Sequence, residues 1–316
     1  MPAITRNTTG VNLPFEVSSE IWPKTIESSA VMQLAQRMEL PGSGVEIDMI
    51  TGEPTANWVD ETGAKPVSTH SVGSKKIKGY TMAVIVPFSN QFRRDKRRLY
   101  DEMVARAPMA LGTKLDKTVF GGDQKPGELF DTMADVTAVD IETNPWTGLV
   151  TADAAIAAGG GITNGWAISP QAKSILLTAV DGVQRPLFVN STTADGAIPA
   201  LLGHPTHEKK GVYIAAVAAS GNDPAVPAQL GFGGDWTSAY YGVVEDISTS
   251  ITDQASITLD TEVVNLWERN MFAVRFEFEV GFRMKYAEHF VKLTGAAPSA
   301  ETPSADTPNG ESQGSE

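Results

Sequence analysis

The strongest constraint on the fold is a long β-patterned stretch, residues 43–92, with a polar tip in its middle. Residues 45–49 alternate between apolar and polar side chains, and residues 76–89 alternate before they become fully apolar. A period of two predicts strands, so the stretch is expected to form a hairpin arm around the tip at 60–75. An isolated two-stranded ribbon is only marginally stable in water. The arm must therefore lie on another surface, and we expect a chain that assembles.

Composition narrows the functional classes. The chain has 316 residues, of which 41% are hydrophobic, enough for one large or two ordinary domains. Its net charge of −13 argues against sequence-specific binding of nucleic acid, although not against enclosing it. The absence of cysteine excludes disulfides and thiolate chemistry. No apolar run approaches ~20 residues and no signal-peptide core is visible, so we expect a protein kept in a cytoplasm-like space, with no membrane.

Two helical regions precede and follow the arm. Residues 18–38 have helical spacing with a break at Ser28-Ser29, which predicts two short helices. Residues 95–121 form the clearest helix, with Asp95 as its N-cap. Its apolar side chains recur every four residues, at Leu99, Met103, Ala107, Leu111 and Leu115. Pro108 lies inside this pattern and predicts a bend or a break.

The remaining elements have weaker signals. In chain order they are a loop at 123–150, a helix that begins at Ser169-Pro170, a buried strand at 212–217, a Gly/Pro/Asp-rich loop at 220–235, a strand region at 237–259, an alternating strand region at 271–293 and a disordered acidic tail at 295–316. In the last strand region Phe272, Val274, Phe276, Phe278 and Val280 share one face.

Catalytic and metal-binding motifs are not found. The chain has no phosphate-binding loop, nucleophile elbow or His-Glu-x-x-His pair. His204 and His207 are close, but Pro205 between them favours a loop over a metal pair. Glu277 and Glu279 share a strand face, which is more typical of a solvated or inter-subunit surface than of an acid/base pair. The chain also has a basic cluster, which comprises Arg93, Arg94, Lys96, Arg97 and Arg98. The cluster is either a solvated face or a contact to a polyanion or to a neighbour's acids.

Five segments in this order resemble the major capsid proteins of tailed double-stranded DNA bacteriophages. They are Glu16–Ala35, Ala56-x-Trp58-Val59-x-Glu61 with Lys65-Pro66, Val86–Asn90 leading to Asp95, Gly234-Asp235-Trp236 with Ala239-Tyr240, and Asn270–Leu293. The resemblance covers roughly residues 11–294, and the segments are specific only in combination. Because the pattern begins near residue 11, it implies that scaffolding is a separate protein or absent.

The resemblance implies the phage major capsid protein fold, an α+β fold with an N-terminal arm, an extended E-loop hairpin, a peripheral P-domain and an axial A-domain. The P-domain would contain a long spine helix and a β-sheet. The implied division is an arm with short helices at 1–42, the E-loop at 43–92, the P-domain at 93–150 and 261–294, the A-domain at 151–260 and the tail at 295–316.

The resemblance also implies a structural role in the virion, in an icosahedral shell assembled in the host cytoplasm. Hexamers and pentamers of the chain would enclose double-stranded DNA without sequence-specific binding, with portal and scaffolding proteins as partners and no cofactor, metal or catalytic residue. Each E-loop would lie over the P-domain of a neighbour. The expected E-loop contact residues are Trp58, Val59, Glu61, Lys65, Lys75 and Lys76.

Two alternatives remain open at this point. An encapsulin-like nanocompartment shares the fold but holds a protein cargo, and the particle's contents separate the two. A soluble α+β enzyme would run as a small oligomer in gel filtration. Some relatives cross-link a hairpin lysine to a neighbour's asparagine. The residue types are supplied by Lys65, Lys75, Lys76 and Lys78 with Asn265 and Asn270, but the sequence does not align them and no bond is predicted.

Overall fold

The computed structural model describes residues 23–50, 71–185, 200–219, 224–259 and 262–296, together with 52, 56–59, 61, 65, 67, 68, 187 and 188. The predicted N-terminal arm, through residue 22, and the tail from residue 297 lie outside them. The helices are α1 (23–28), α2 (Ala30–Leu34), α3 (Asn90–Asp95), α4 (Arg97–Val119), α5 (Pro145–Ala158) and α6 (Pro170–Thr178). The strands are β1 (Gln36–Glu39), β2 (Val45–Ile50), β3 (Val72–Ile77), β4 (Tyr80–Ser89), β5 (Thr137–Asp140), β6 (Gly165–Ile168), β7 (Ala200–Leu201), β8 (His204–Glu208), β9 (Gln229–Gly234), β10 (Ala239–Thr252), β11 (Ser256–Leu259), β12 (Glu262–Asn265), β13 (Met271–Met284) and β14 (Phe290–Thr294).

A four-stranded sheet is built around the longest alternating segment of the chain. Its strands lie in the order β1, β10, β13, β4, and β13 is antiparallel to both of its neighbours. The alternation predicted for this segment is confirmed. The apolar side chains of one β13 face are buried against α4, and they are Phe272, Val274, Phe276, Phe278 and Val280. Arg275, Glu277 and Glu279 take the opposite face, which we call the outer face.

A six-stranded sheet forms a second layer, in the order β5, β14, β9, β6, β8, β7, with α5 and α6 packed against it. Its central strand β9 falls in the predicted loop at 220–235, so the loop prediction is wrong for 229–234. All six residues of β9 are buried. Gly233 faces the Trp166 ring so closely that a Cβ would collide with it. Glycine at this position permits close packing within a strand, although glycine-rich sequence usually predicts a loop.

The two sheets meet at the C-terminal end of α4. Phe120 stacks on Phe232 with ring centroids 4.7 Å apart, and Trp236 meets Phe290 edge-on at 5.4 Å. Each segment packs with the sheet to which it belongs. Residues 239–252 are part of the four-stranded sheet, whereas residues 137–158 and 290–294 belong to the six-stranded sheet or pack against it. The domain division at 93–150, 151–260 and 261–294 stays a prediction.

The long helix differs from its prediction at its start. Asp95 is not the N-cap, because it ends the short helix α3, which Ser89 caps by accepting a hydrogen bond from the Gln91 N–H. In α4 the buried positions at this end are Tyr100 and Val104, whereas the predicted Leu99 and Met103 are 46% and 42% exposed. The Tyr100 ring meets the Phe88 and Phe272 rings edge-on, and these contacts set the rotation of the helix.

The interior proline does not break α4, which runs from Arg97 to Val119 with Pro108 buried inside it. The Pro108 carbonyl accepts a hydrogen bond from Thr25 Oγ1 at 3.4 Å. The break is therefore excluded, and the bend stays a prediction.

Three further segments depart from expectation. The two short helices around Ser29 are confirmed, but Met38 lies in β1, because residues 36–39 pair with β10. The loop predicted at 123–150 contains β5 and the start of α5, which Asn144 caps. The buried strand predicted at 212–217 is wrong: a short 3-10 helix ends at Val212, and Val217 is 59% exposed.

Asp116 fixes the N-terminal helices to α4. Its carboxylate is fully buried and accepts hydrogen bonds from Ser29 Oγ at 2.6 Å, the Ala30 N–H at 2.8 Å and the Val31 N–H at 3.2 Å. The N-terminus of a short helix is thereby satisfied by a side chain from another helix. Burial raises the pKa of Asp116 to about 6, although these hydrogen bonds and the charge of Lys209 oppose the rise.

This raised pKa gives a stability prediction with a defined sign. The folded state holds the Asp116 proton more tightly than the unfolded chain, so the contribution of this group is full below about pH 3.8 and is lost as the pH rises through about 6. A rise of about two pKa units corresponds to roughly 3 kcal/mol. Asp116→Asn should remove this pH-dependent loss, measured by urea unfolding of unassembled subunits at pH 4 and pH 7.

The matched control is Asp123→Asn, which removes a carboxylate that pairs with Lys114 at the surface. It should keep the wild-type difference in unfolding free energy between the two pH values. An Asp116→Asn variant that retains the full wild-type difference would contradict the prediction.

Candidate subunit interface

The predicted hairpin arm is present, and only its root is covered by its own chain. β2 and β3 are antiparallel, with Val45 opposite Ile77 and Ile50 opposite Val72. At the root Ile47 and Ile77 pack with Leu40 in a small apolar cluster. At the outer end Ile50 and Val72 are 57% and 66% exposed. The side chains at the outer end of the paired ribbon are therefore left largely uncovered.

The return half of the predicted hairpin is divided between two sheets. Residues 72–77 pair with β2, but Tyr80–Ser89 is β4, an edge strand of the four-stranded sheet. The chain turns at Gly79, where a Cβ would collide with the Val244 and Glu279 side chains. The β-pattern alone did not predict this change from one sheet to the other, because both β3 and β4 alternate.

Most of the predicted contact residues are exposed. Trp58 is 104% exposed and Val59 is 39% exposed, and Glu61, Lys65 and Lys76 are also exposed. Residues 56–59 have no regular structure, so Trp58 and Val59 do not lie on a paired strand. The Trp58 indole presents its whole surface to solvent, and its role as an interface anchor stays a prediction.

Lys75 differs from the other hairpin lysines. Its ammonium is partly buried and donates to the carbonyl oxygens of Met284 at 2.9 Å and Lys285 at 3.1 Å. Tyr286 Oη donates to the Ile50 carbonyl at 2.6 Å. Lys75 is thus engaged within its own chain.

The basic cluster spans two helices instead of opening one. Arg93 and Arg94 lie in the last turn of α3, where cations are favourable to the helix dipole. The Arg93 guanidinium lies 4.9 Å from the Phe272 ring centroid, and Arg94 pairs with Asp95 at 3.1 Å. The exposed remainder comprises Lys96, Arg97 and Arg98. Their contact role stays a prediction.

The outer face of the four-stranded sheet is partly uncovered. On the edge strand β4, Thr81 and Ala83 are exposed and Ile85 is 51% exposed. Arg275 stands opposite Ile85 and pairs with Glu277 at 3.2 Å. Glu279, opposite Thr81 on one side and Glu245 on the other, adds to the carboxylates. This face therefore combines small and apolar side chains with an excess of negative charge.

A cleft of about 530 Å³ runs between α4 and β4. Its lining is mainly apolar and includes Met82, Val84, Ala110, Leu111, Leu115, Pro126, Phe130 and Val280, with Lys114 and Gln124 as polar members.

A second exposed apolar patch was not singled out from sequence. Val263 on β12 is 69% exposed, and Trp267, in the turn after β12, is 73% exposed. Val264 and Leu266 between them are buried. The signal available in the sequence was a tryptophan beside charged residues in a turn, Trp267-Glu268-Arg269.

The two neighbouring histidines singled out from the sequence do not converge on one site. His204 and His207 lie on strand β8 at odd spacing, so they point to opposite faces. Burial, and then the nearby charge of Lys209, lowers the pKa of His207. No group of three potential metal ligands occurs among the described residues. No helix among them is long and apolar enough to cross a membrane.

Sequence comparisons identify one family. The model of the phage capsid family matches residues 9–295. The chain is 28% identical over 294 residues to the "Probable major capsid protein gp17" of Mycobacterium phage L5, with 88% of each chain covered. It is 27% identical over 292 residues to the protein of the same name from Mycobacterium phage D29, again with 88% of each covered.

Structural comparisons give the same fold at lower identity. A chain of Mycobacterium phage Ogopogo superposes with a TM-score of 0.70 at 16% identity, covering 85% of this chain and 92% of the other. A chain of Microbacterium phage Oxtober96 gives a TM-score of 0.67 at 20% identity, covering 85% and 91%. A chain titled "Capsid of empty GTA particle computed with C5 symmetry" gives 0.61 at 14% identity, covering 94% and 95%. The predicted α+β capsid fold is confirmed.

Proposed function

Since the chain belongs to the phage capsid family, we propose that its copies assemble as hexamers and pentamers into the icosahedral head of a tailed phage. The head would enclose double-stranded DNA, and portal and scaffolding proteins would be its partners. Assembly would take place in the host cytoplasm. The family is one of structural proteins, and the relatives are phage capsid proteins, which disfavours the enzyme and encapsulin alternatives.

The observation that carries this proposal is a hairpin built for a surface beyond its own chain. Its root is buried, whereas Trp58, Val59 and Lys65 lie beyond the paired strands and are exposed. An indole buried at an interface is a frequent energetic anchor. The proposed partner surface is the outer face of the four-stranded sheet on a neighbouring subunit.

Charge supports this choice of partner surface. The hairpin offers the exposed Lys65, Lys76 and Lys78, whereas the outer face carries Glu245, Glu277 and Glu279. Opposite charges across an interface fix register and speed association more than they raise affinity. Ile85 supplies an apolar contact on the same face.

The net charge of −13 supports enclosure over binding of DNA. The proposal predicts that purified particles protect DNA from nuclease. Electron microscopy of the particles with nuclease digestion tests it directly, since an encapsulin would instead retain a protein cargo. A subunit that remains monomeric at high concentration, even with its scaffold, would overturn the assembly proposal.

Trp58→Ala should weaken assembly without changing the melting of the free subunit. Truncation of an interface indole typically costs ~2 kcal/mol, which is about 30-fold in the concentration needed for assembly. Trp58→Phe keeps an aromatic anchor and should stay near wild type. Deleting 62–70, which spares both paired strands, should yield folded subunits and few closed shells. Sedimentation measures both, and normal assembly of both Trp58→Ala and the deletion variant would refute the role of the arm.

Ile85→Asp tests the proposed partner surface from the other side. Ile85 is 51% exposed in the subunit, so the substitution should leave folding intact. A buried aspartate in the contact would be costly, and the added charge would also alter the match to the hairpin lysines. The assembly threshold should rise strongly, while Ile85→Val should behave as wild type. Equal thresholds for Ile85→Asp and wild type, determined by light scattering, would exclude this face as the partner.

The tail should be dispensable for shell formation. Residues beyond 296 have no apolar side chain other than Ala and Pro, so burial cannot offset the entropy of ordering them. The Gly295 N–H donates to the Ala228 carbonyl, and the Ala296 N–H donates to Glu142 Oε2. A chain that ends at Ala296 keeps both bonds and should give a normal particle yield by sucrose gradient. Loss of particles from that chain would reveal a structural partner for the tail.

A further inference from the structure

Three hydrogen bonds tie the paired strands of the hairpin, at the middle of β3 and at the outer end of β2, to one short segment of the body, residues 284–286. Lys75 donates to the Met284 and Lys285 carbonyl oxygens, and Tyr286 Oη donates to the Ile50 carbonyl. The two Lys75 bonds hold β3, where Lys75 lies opposite Ile47, and the Tyr286 bond holds β2. Both strands of the ribbon are therefore held. We call these three bonds the clasp.

The segment that the clasp holds is the connection between the two sheets. β13 ends at Met284 in the four-stranded sheet, and β14 begins at Phe290 in the six-stranded sheet. The Tyr286 ring lies 4.7 Å from the His289 ring, and His289 Nδ1 is 2.8 Å from Ser238 Oγ. The Lys285 N–H donates to the Ser238 carbonyl at 2.8 Å. The connection is therefore held by the strand at each of its ends and by its hydrogen bonds to Ser238.

Apolar packing at the root cannot by itself set the angle of the ribbon. The cluster of Leu40, Ile47 and Ile77 provides attraction without direction, whereas hydrogen bonds have defined lengths and angles. Eight residues separate Ile50 from Trp58, a reach of at most roughly 26 Å in extended chain. A pivot of the ribbon by about ten degrees would therefore displace the indole by up to roughly 4–5 Å, more than a packed contact tolerates.

We propose that Lys75 and Tyr286 are positioning residues that set the angle of the hairpin to the body and thereby the curvature of the assembled shell. This rests on the proposed function, since a fixed hairpin angle matters only if the hairpin contacts a neighbour. The clasp does not supply the proposed contact itself, which is made by Trp58 and the exposed lysines of the hairpin. Its loss should change the geometry of the product more than the tendency to assemble.

The angle can be measured without assembly, because the chain has no native cysteine. Spin labels at Val72→Cys, on the exposed outer end of β3, and Val150→Cys, on α5, report the distance between hairpin and body. In the free wild-type subunit we expect one narrow distance. Lys75→Met with Tyr286→Phe keeps the aliphatic stem and the ring but removes all three donors, and should give a broad distribution.

Two variants control for charge and folding. Lys76→Met removes a neighbouring exposed lysine that lies outside the clasp and should keep the narrow distance. Lys75→Arg retains donors and should restore much of it. An unchanged narrow distance in the clasp double variant, with its melting temperature preserved, would overturn the proposal.

Electron microscopy of assembled product gives the second readout. The clasp double variant should still assemble but yield shells of mixed diameter or open sheets, whereas wild type should give uniform shells. Uniform shells from the double variant would overturn the link to curvature. If wild type itself forms no shells, the proposed function fails, while the spin-label distances still decide whether the clasp sets the angle.

Discussion

A two-stranded ribbon has two faces and little core, and the rest of this structure depends on how that deficit is met. The body covers one face at the root, through Ile47 and Ile77, and leaves Ile50 and Val72 exposed at the outer end. Apolar surface kept in water until another copy covers it favours association. The body must therefore hold the ribbon firmly at its base, because an arm free to swing would lose entropy on each contact it formed.

The base of the hairpin is held rigidly by α4 and the two sheets. Asp116 fixes the N-terminal helices on α4, and the adjoining β1 forms an edge of the four-stranded sheet from which β2 departs. The stack of Phe120 on Phe232 joins α4 to the six-stranded sheet. The connection at 284–286 then links both sheets to the ribbon. Each device acts through a buried or directional contact, so the position of the hairpin is a property of the whole subunit.

Sequence patterns predicted the elements whose signals are local. The period of two in 271–284 and the Ser169-Pro170 helix start were both confirmed, because each depends on residues a few positions apart. The failures depend on distant partners. Gly233 is in a strand because Trp166 packs on it, and Tyr100 displaces Leu99 from the core because Phe88 and Phe272 lie opposite. For the candidate site, a hairpin that projects from its own chain was predicted from the alternation and the polar tip, but alternation is the one local signal that separates Lys75 from Lys76.

The lysines of the hairpin have consequences in both states of the subunit. Charged side chains along an exposed ribbon discourage edge-to-edge pairing with unrelated strands, so Lys65, Lys76 and Lys78 protect the free subunit from disordered association. The same charges match the carboxylates of Glu245, Glu277 and Glu279 on the proposed partner face. Such a match contributes little affinity and much register. On the proposed interface the apolar contribution would come from Trp58 and Ile85, so specificity and affinity would rest on different residues and could be altered separately.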